Sequence, residues 1–193
     1  QIRDQYDYVI LWYSGGADSD NILDTFVDNN IRLDEAAGLI NMAADGNKDG
    51  YLNGEVFNIT VPKIQRIKET SQPWIVHTLV DLCQPTMDYF SNQSNKFDWV
   101  HKVSHYVNPN YMARSQIAKT QARWMNLINS GKKVAFVHGV DKPKIANVNN
   151  RFFLVFRDIL DAAGITYNQI DELPGLFNEV FYWTPDLPRS EEH

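Results

Sequence analysis

The chain carries a single cysteine, Cys83, so no disulfide can close within it and no dithiol pair can carry redox chemistry. That usage fits a reducing compartment, and a cytoplasmic location is the expectation. No run of about 18 uncharged apolar residues occurs, so no membrane-spanning helix is expected. The opening Gln1-Ile2-Arg3-Asp4 lacks the basic-then-apolar order of a secretory signal, and the glycosylation-like tripeptides Asn58-Ile59-Thr60 and Asn92-Gln93-Ser94 are read as chance. Met is missing at position 1, so the N-terminus is expected to be trimmed, processed or incompletely represented. Basic charge is short. Eighteen Lys and Arg against 24 Asp and Glu leave a formal charge of −6, which gives no electrostatic reason to wrap nucleic acid. A local constellation can still hold a phosphorylated small molecule. Internal repeats, low-complexity tracts and linkers are absent from the sequence.

What is present is an ordinary globular composition: 193 residues, 44% apolar and 22% charged, enough for one domain spanning 1–193 with its own core. Tyr8-Val9-Ile10-Leu11-Trp12-Tyr13 is a short, continuous apolar run that reads as a strand buried on both faces. Asp18 to Asn30 follows, with Ile22, Leu23, Phe26 and Val27 at helical offsets and acids in its first turn. Strands are expected again over 36–42, 74–82 and 134–137. A short helix with Pro near its start is expected over 62–70, and a long one over 110–130 that Gly131 stops. Alternating strands and helices predict an α/β fold, a parallel twisted sheet with helices on both faces and right-handed crossovers. The last third reads as a hairpin, 144–148 and 151–156 around Asn149-Asn150, then a short strand over 179–183 and an irregular proline-bearing tail.

The segment that carries chemistry is Ser14-Gly15-Gly16-Ala17-Asp18-Ser19, between the first strand and the first helix. Paired glycines let the backbone turn tightly and aim several N–H groups into one concavity. The helix beginning at its end adds a positive N-terminus, and Ser14 and Ser19 add hydroxyl donors, so the loop suits a phosphate-sized anion. Asp18 would repel that anion unless a cation such as Mg²⁺ accompanied it. The carboxyl end of a parallel strand is also where open α/β sheets bind ligands. A P-loop is excluded because its GK[ST] lysine is missing, and the Rossmann GxGxxG spacing is missing too.

This six-residue motif resembles the SGGxDS signature of the PP-loop (N-type) ATP pyrophosphatases. That superfamily, with its adenine nucleotide alpha hydrolase-like fold, includes asparagine synthetases and phosphoadenylylsulfate reductases. The resemblance implies Mg-ATP as ligand and cleavage between the α- and β-phosphates. AMP would pass to a small acceptor and pyrophosphate would leave, as in amide and C–N ligases. It implies that Ser14, Gly15, Gly16, Ala17, Asp18 and Ser19 hold the leaving pyrophosphate, and that the end of the second strand, including Asn41 and Met42, meets adenine through its backbone. It further implies a role for His138-Gly139-Val140-Asp141-Lys142-Pro143-Lys144 after the fourth strand. There Gly139 approaches the nucleotide, Asp141 joins Asp18 as a metal ligand, and Lys142 or Lys144 neutralises charge on the α-phosphoryl group. Arg114, Lys119 and Arg123 on the long helix are further candidates for reaching the nucleotide or an acidic substrate. The compact size, the hairpin and the 183–188 tail resemble small stand-alone PP-loop proteins of bacteriophages.

Three features of the wider superfamily are missing. The tail 184–193 has no cysteine of the kind the reductases use, no glutaminase segment is present, and the paired cysteines of thiolation enzymes are absent. The expectation is therefore an adenylating enzyme of unknown acceptor, with a phosphoadenylylsulfate reductase-like protein or a non-catalytic nucleotide binder as alternatives. The partner expected is a small molecule, not nucleic acid or a membrane, and a homo-oligomer is left open. Asp45 to Val56 imitates a calcium loop, but its twelfth position is Val56 and Glu55 falls one residue early. A polar loop over the nucleotide pocket is the expected use of that segment. His101 and His105, at i and i+4 without an HExxH glutamate, are read as packing or substrate contact.

Overall fold

A computed structural model describes residues 2–40, 53–81, 83, 91, 114–139, 144–155, 168–169 and 173–181. Its elements in chain order are α1 (Ile2–Gln5), β1 (Tyr8–Trp12), α2 (Ala17–Asp28), β2 (Glu35–Ile40), a π-helical turn (Val56–Thr60) running into α3 (Val61–Thr70), and β3 (Val76–Asp81). They continue with α4 (Arg114–Thr120), α5 (Ala122–Asn129), β4 (Val134–Gly139), β5 (Lys144–Val148), β6 (Arg151–Val155), β7 (Asn168–Gln169) and β8 (Leu176–Phe181).

The main sheet runs β3-β2-β1-β4-β8-β7. Its first five strands are mutually parallel, and β7 is antiparallel at the edge of β8. The fold is α/β. The chain leaves β1 towards β2 on one side and reaches β4 on the other, so the order reverses at the β1–β4 pair, where Tyr8 lies opposite Val134 and Leu11 opposite Val137. Loops leaving neighbouring strands at such a point diverge and open a crevice.

Burial follows from the apolar runs. Val9, Ile10 and Leu11 of β1 and Val134 to Val137 of β4 are fully buried. Successive side chains of a strand point oppositely, and the core divides accordingly. Val9, Leu11 and Tyr13 cluster with Ile22, Leu23 and Phe26 of α2 and with Ile64 and Ile67 of α3. Ile10 and Trp12 cluster with Ile117 of α4, with Trp124 and Ile128 of α5, and with Phe136. Trp12 stands edge-on to Trp124 with ring centres 5.8 Å apart.

The helix expected over 110–130 is two helices within its described part. Gln121 takes an extended conformation, φ −99 and ψ 96, and caps α5, so Ile117 and Trp124 reach the same cluster from separate helices. The strand expected over 179–183 begins earlier, at Leu176, and is the fifth parallel strand rather than a late addition. The Asn149-Asn150 turn is as expected, both residues having positive φ (52° and 58°), the signature of a primed hairpin turn. Its hairpin forms a sheet of its own, with Phe152 and Val148 exposed.

At the amino ends of the strands sits a buried carboxylate pair. Asp34 accepts hydrogen bonds from Arg3 and Arg32, both at 2.7 Å, and from the Val9 N–H at 2.9 Å. Fully buried Glu35 accepts from the Tyr8 hydroxyl at 2.9 Å, from Trp124 Nε1 at 3.0 Å, and from Thr78 and Arg123. No described helix is long and apolar enough to cross a membrane.

Candidate functional site

The loop 14–19 leaves the carboxyl end of β1 and enters α2. Gly15 has φ +87, a conformation L side chains rarely adopt. A Cβ there would also stand 2.9 Å from Thr60 Oγ1 and 3.4 Å from Glu55 Cγ, so both dihedral and space call for glycine. Gly16 is the N-cap of α2, φ −73 and ψ 160, and has no side chain to occupy the first-turn N–H groups. A helix start without a side-chain cap leaves such donors open to an anion.

The serines hold the loop's shape. Ser14 Oγ and Ser19 Oγ lie 3.2 Å apart, Ser19 Oγ donates to the Gly16 carbonyl at 3.0 Å, and the Gly16 N–H points to Ser14 Oγ at 3.3 Å. Both hydroxyls thus face one small volume. Asp18, in the first turn of α2, has its Oδ1 buried with no hydrogen-bond partner among the described residues. A carboxylate oxygen without a partner is costly to bury. A divalent cation such as magnesium would supply the missing partner, since a carboxylate oxygen is a donor that hard cations take.

Across the switch point, Gly139 ends β4 against that same residue. A Cβ on Gly139 would lie 3.0 Å from the carbonyl carbon and 3.0 Å from the Cβ of Asp18. The end of β4 thus lies against the start of α2 more tightly than a side chain at 139 would ordinarily allow. Beside the loop opens a cleft of about 250 Å³ between the ends of β1 and β2. Trp12, Tyr13 and Ser14 line it from β1, Ala37 and Leu39 from β2, and Glu55 and Val56 from the π-helical segment. Its walls are largely apolar, with Glu55 and Ser14 as polar groups, and Trp12 Nε1 is a buried donor without a partner among the described residues.

The far end of this first turn is braced. Tyr13 donates to Asp20 Oδ1 at 2.6 Å, and Lys63 of α3 bridges Asp20 and Asp24, both at 2.7 Å. Burial, then the hydrogen bond and charge of Asp20, push the Tyr13 phenol well above its ordinary range, so it stays a neutral donor. Burial works to raise the Asp20 carboxyl, but the hydrogen bonds from Lys63 and Tyr13 outweigh it and hold the group below its ordinary value. Burial likewise works against the Lys63 ammonium, and its two carboxylate partners raise it. Asp20 is therefore committed to holding α2 on α3, whereas Asp18 Oδ1 has no partner among the described residues.

Among the residues singled out from sequence, Ser14, Gly15, Gly16, Ala17, Asp18, Ser19 and Gly139 come together at this switch point. Lys119 is exposed on α4. Arg114 opens α4 and Lys144 opens β5. Asn41, Met42, Asp141 and Lys142 lie outside the described residues, as do His101, His105 and the first eight positions of the calcium-like segment. Arg123 does not go to the loop: its guanidinium binds Glu35 at the amino end of β2, and Thr78. Sequence reasoning missed Trp12 and Thr60, and it named Glu55 only within the 45–56 segment expected over the pocket, where Glu55 and Val56 line the cleft. Thr60 was legible only as the end of a sequon, because no spacing ties it to the loop. No protein-family model, no curated protein and no solved structure matches this chain.

Proposed function

We propose that the chain is an ATP pyrophosphatase of the PP-loop kind, with an adenine nucleotide alpha hydrolase-like sheet covered by helices on both faces. In this reading it binds Mg-ATP and transfers AMP to a small acceptor, releasing pyrophosphate. The division of the core between α2 and α3 on one side and α4 and α5 on the other supports the architecture. The observation that carries the function is the uncapped first turn of α2 beside left-handed Gly15, with the unpaired Asp18 oxygen in the same turn.

The parts divide naturally. Loop N–H groups and the Ser14 and Ser19 hydroxyls take the β- and γ-phosphates, where negative charge grows as the α–β bond breaks. Magnesium, when bound at Asp18, supplies charge neutralisation and fixes the polyphosphate. The apolar cleft takes the nucleoside, with Trp12 and Leu39 as walls and Glu55 as an acceptor for its N–H or O–H donors. Lys142, Lys144 and Asp141 are assigned to the α-phosphoryl end, with Asp141 sharing the metal. Catalysis in this scheme is positioning and electrostatics, with no covalent intermediate on the chain.

The test is incubation with Mg²⁺, ATP labelled at the α-phosphate and a metabolite mixture, followed by separation of the nucleotides. AMP with pyrophosphate, lost in Asp18→Asn, is expected. ADP with phosphate refutes α–β cleavage, and ATP bound tightly without turnover favours a nucleotide sensor.

A further inference from the structure

Several described hydroxyls in helices or at their ends return to their own backbone. Thr25 Oγ1 donates to the Asn21 carbonyl at 2.7 Å, Thr70 to Arg66 at 2.8 Å, and Ser71 to Ile67 at 3.2 Å, each reaching back four residues. Thr60 departs from this habit. Its side chain is fully buried, yet Oγ1 has no hydrogen-bond partner among the described residues. Burying a hydroxyl unpaired is unfavourable, and such groups call for a physical reason.

The local backbone supplies the reason. The Val61 N–H returns to the Val56 carbonyl, so Val56–Thr60 is a π-helical turn, a wider turn that recurs at functional sites. Oγ1 is thereby aimed at the loop, 2.9 Å from where a Cβ on Gly15 would stand. Gly15 carries none, so the hydroxyl faces bare backbone beside the uncapped first turn of α2.

We propose that Thr60 is a binding residue of the anion site, its hydroxyl donating to a phosphate-type oxygen held by the 14–19 loop. This rests on reading that loop as a polyphosphate site. The chemistry is specific: a neutral donor adds no charge beside Asp18, and its proton has no competing acceptor among the described residues. The unfavourable burial in the free chain is offset when the ligand arrives, which couples occupancy of the loop to the seating of the π-helical turn.

Calorimetry with magnesium pyrophosphate on the full chain, paired with thermal melts without ligand, tests this. Thr60→Val keeps the shape and removes the hydroxyl, whereas Thr60→Ser keeps the hydroxyl and removes a methyl. Thr60→Val is expected to bind about tenfold more weakly, since a hydrogen bond to a charged group is lost. It is also expected to melt above the wild type in the free state, and Thr60→Ser is expected to bind as the wild type does. Wild-type affinity in Thr60→Val overturns the proposal and leaves the loop reading standing. Lower melting and equally weakened binding in both variants assign Thr60 to packing alone and overturn it too. Failure of the wild-type chain to bind pyrophosphate overturns the loop reading and this inference together.

Discussion

Gly139 ends β4 against the first turn of α2 so closely that a methyl group on it would stand 3.0 Å from both the carbonyl carbon and the Cβ of Asp18. Gly139→Ala therefore requires the end of β4 or the first turn of α2 to give by a few tenths of an ångström. Overpacking of this kind is expected to lower stability by about 1–3 kcal/mol and to weaken Mg-ATP binding, because the displaced atoms belong to the loop. Urea unfolding and calorimetry on the same variant check both, and unchanged binding would detach β4 from the site.

Asp18→Asn removes the charge without changing the shape. AMP formation is expected to fall by about 10²–10³-fold, the scale of losing one electrostatic contributor in a preorganised site. The free protein should melt no lower than the wild type, since an unpaired buried carboxylate oxygen is replaced by a neutral group. Turnover equal to the wild type would remove magnesium at Asp18 from the scheme.

Arg123→Ala separates structure from function. Removing the cation from a fully buried carboxylate is strongly destabilising, but Arg123 is 43% exposed and Tyr8, Thr78 and Trp124 still serve Glu35. The expected loss is about 2 kcal/mol, below the 3–5 typical of a wholly buried pair. Nucleotide affinity is expected to be unchanged, and a Kd measurement showing otherwise would return Arg123 to the site.

His77 in β3 gives the fold a pH dependence. Burial, and then the positive charge of Lys68, hold its imidazole below the ordinary value of 6.5. The unfolded chain therefore binds a proton that the folded chain refuses. Stability is complete above pH 6.5 and falls as pH drops from 6.5 to the lower folded value, where the loss levels off. His77→Leu should flatten that segment of the stability curve in denaturant titrations at stepped pH, and an unaltered slope would place the proton uptake elsewhere.

The parts legible in sequence were those fixed by short-range chemistry. The unbroken apolar run at β1, the glycine pair with its serines, and the Asn149-Asn150 turn each carry their conformation in adjacent residues. The break at Gln121 was hidden because Ile117, Trp124 and Ile128 keep helical spacing through it. Leu176 to Phe181 read as a fragment because Asn178 and Glu179 interrupt its apolar pattern, although pairing with β4 makes it a full parallel strand. Arg123 looked free because its partner Glu35 is 88 residues away and a buried glutamate has no local signature. Thr60 and Glu55 reach the loop only through the tertiary path of the π-helical turn, which no periodicity announces.

The placement of β1 also has a consequence for incomplete chains. It precedes the other described strands in the chain, yet it ends in the middle of the sheet with β4 as one neighbour, more than a hundred residues later. Without β4, a sheet of β1, β2 and β3 would have an open edge at β1, which carries Val9, Ile10 and Leu11. An uncovered apolar edge invites pairing with other chains, and closing so long a loop is slow. A chain cut short before residue 134 lacks the strand that covers this side of β1, and such a fragment is expected to aggregate more readily than the full chain.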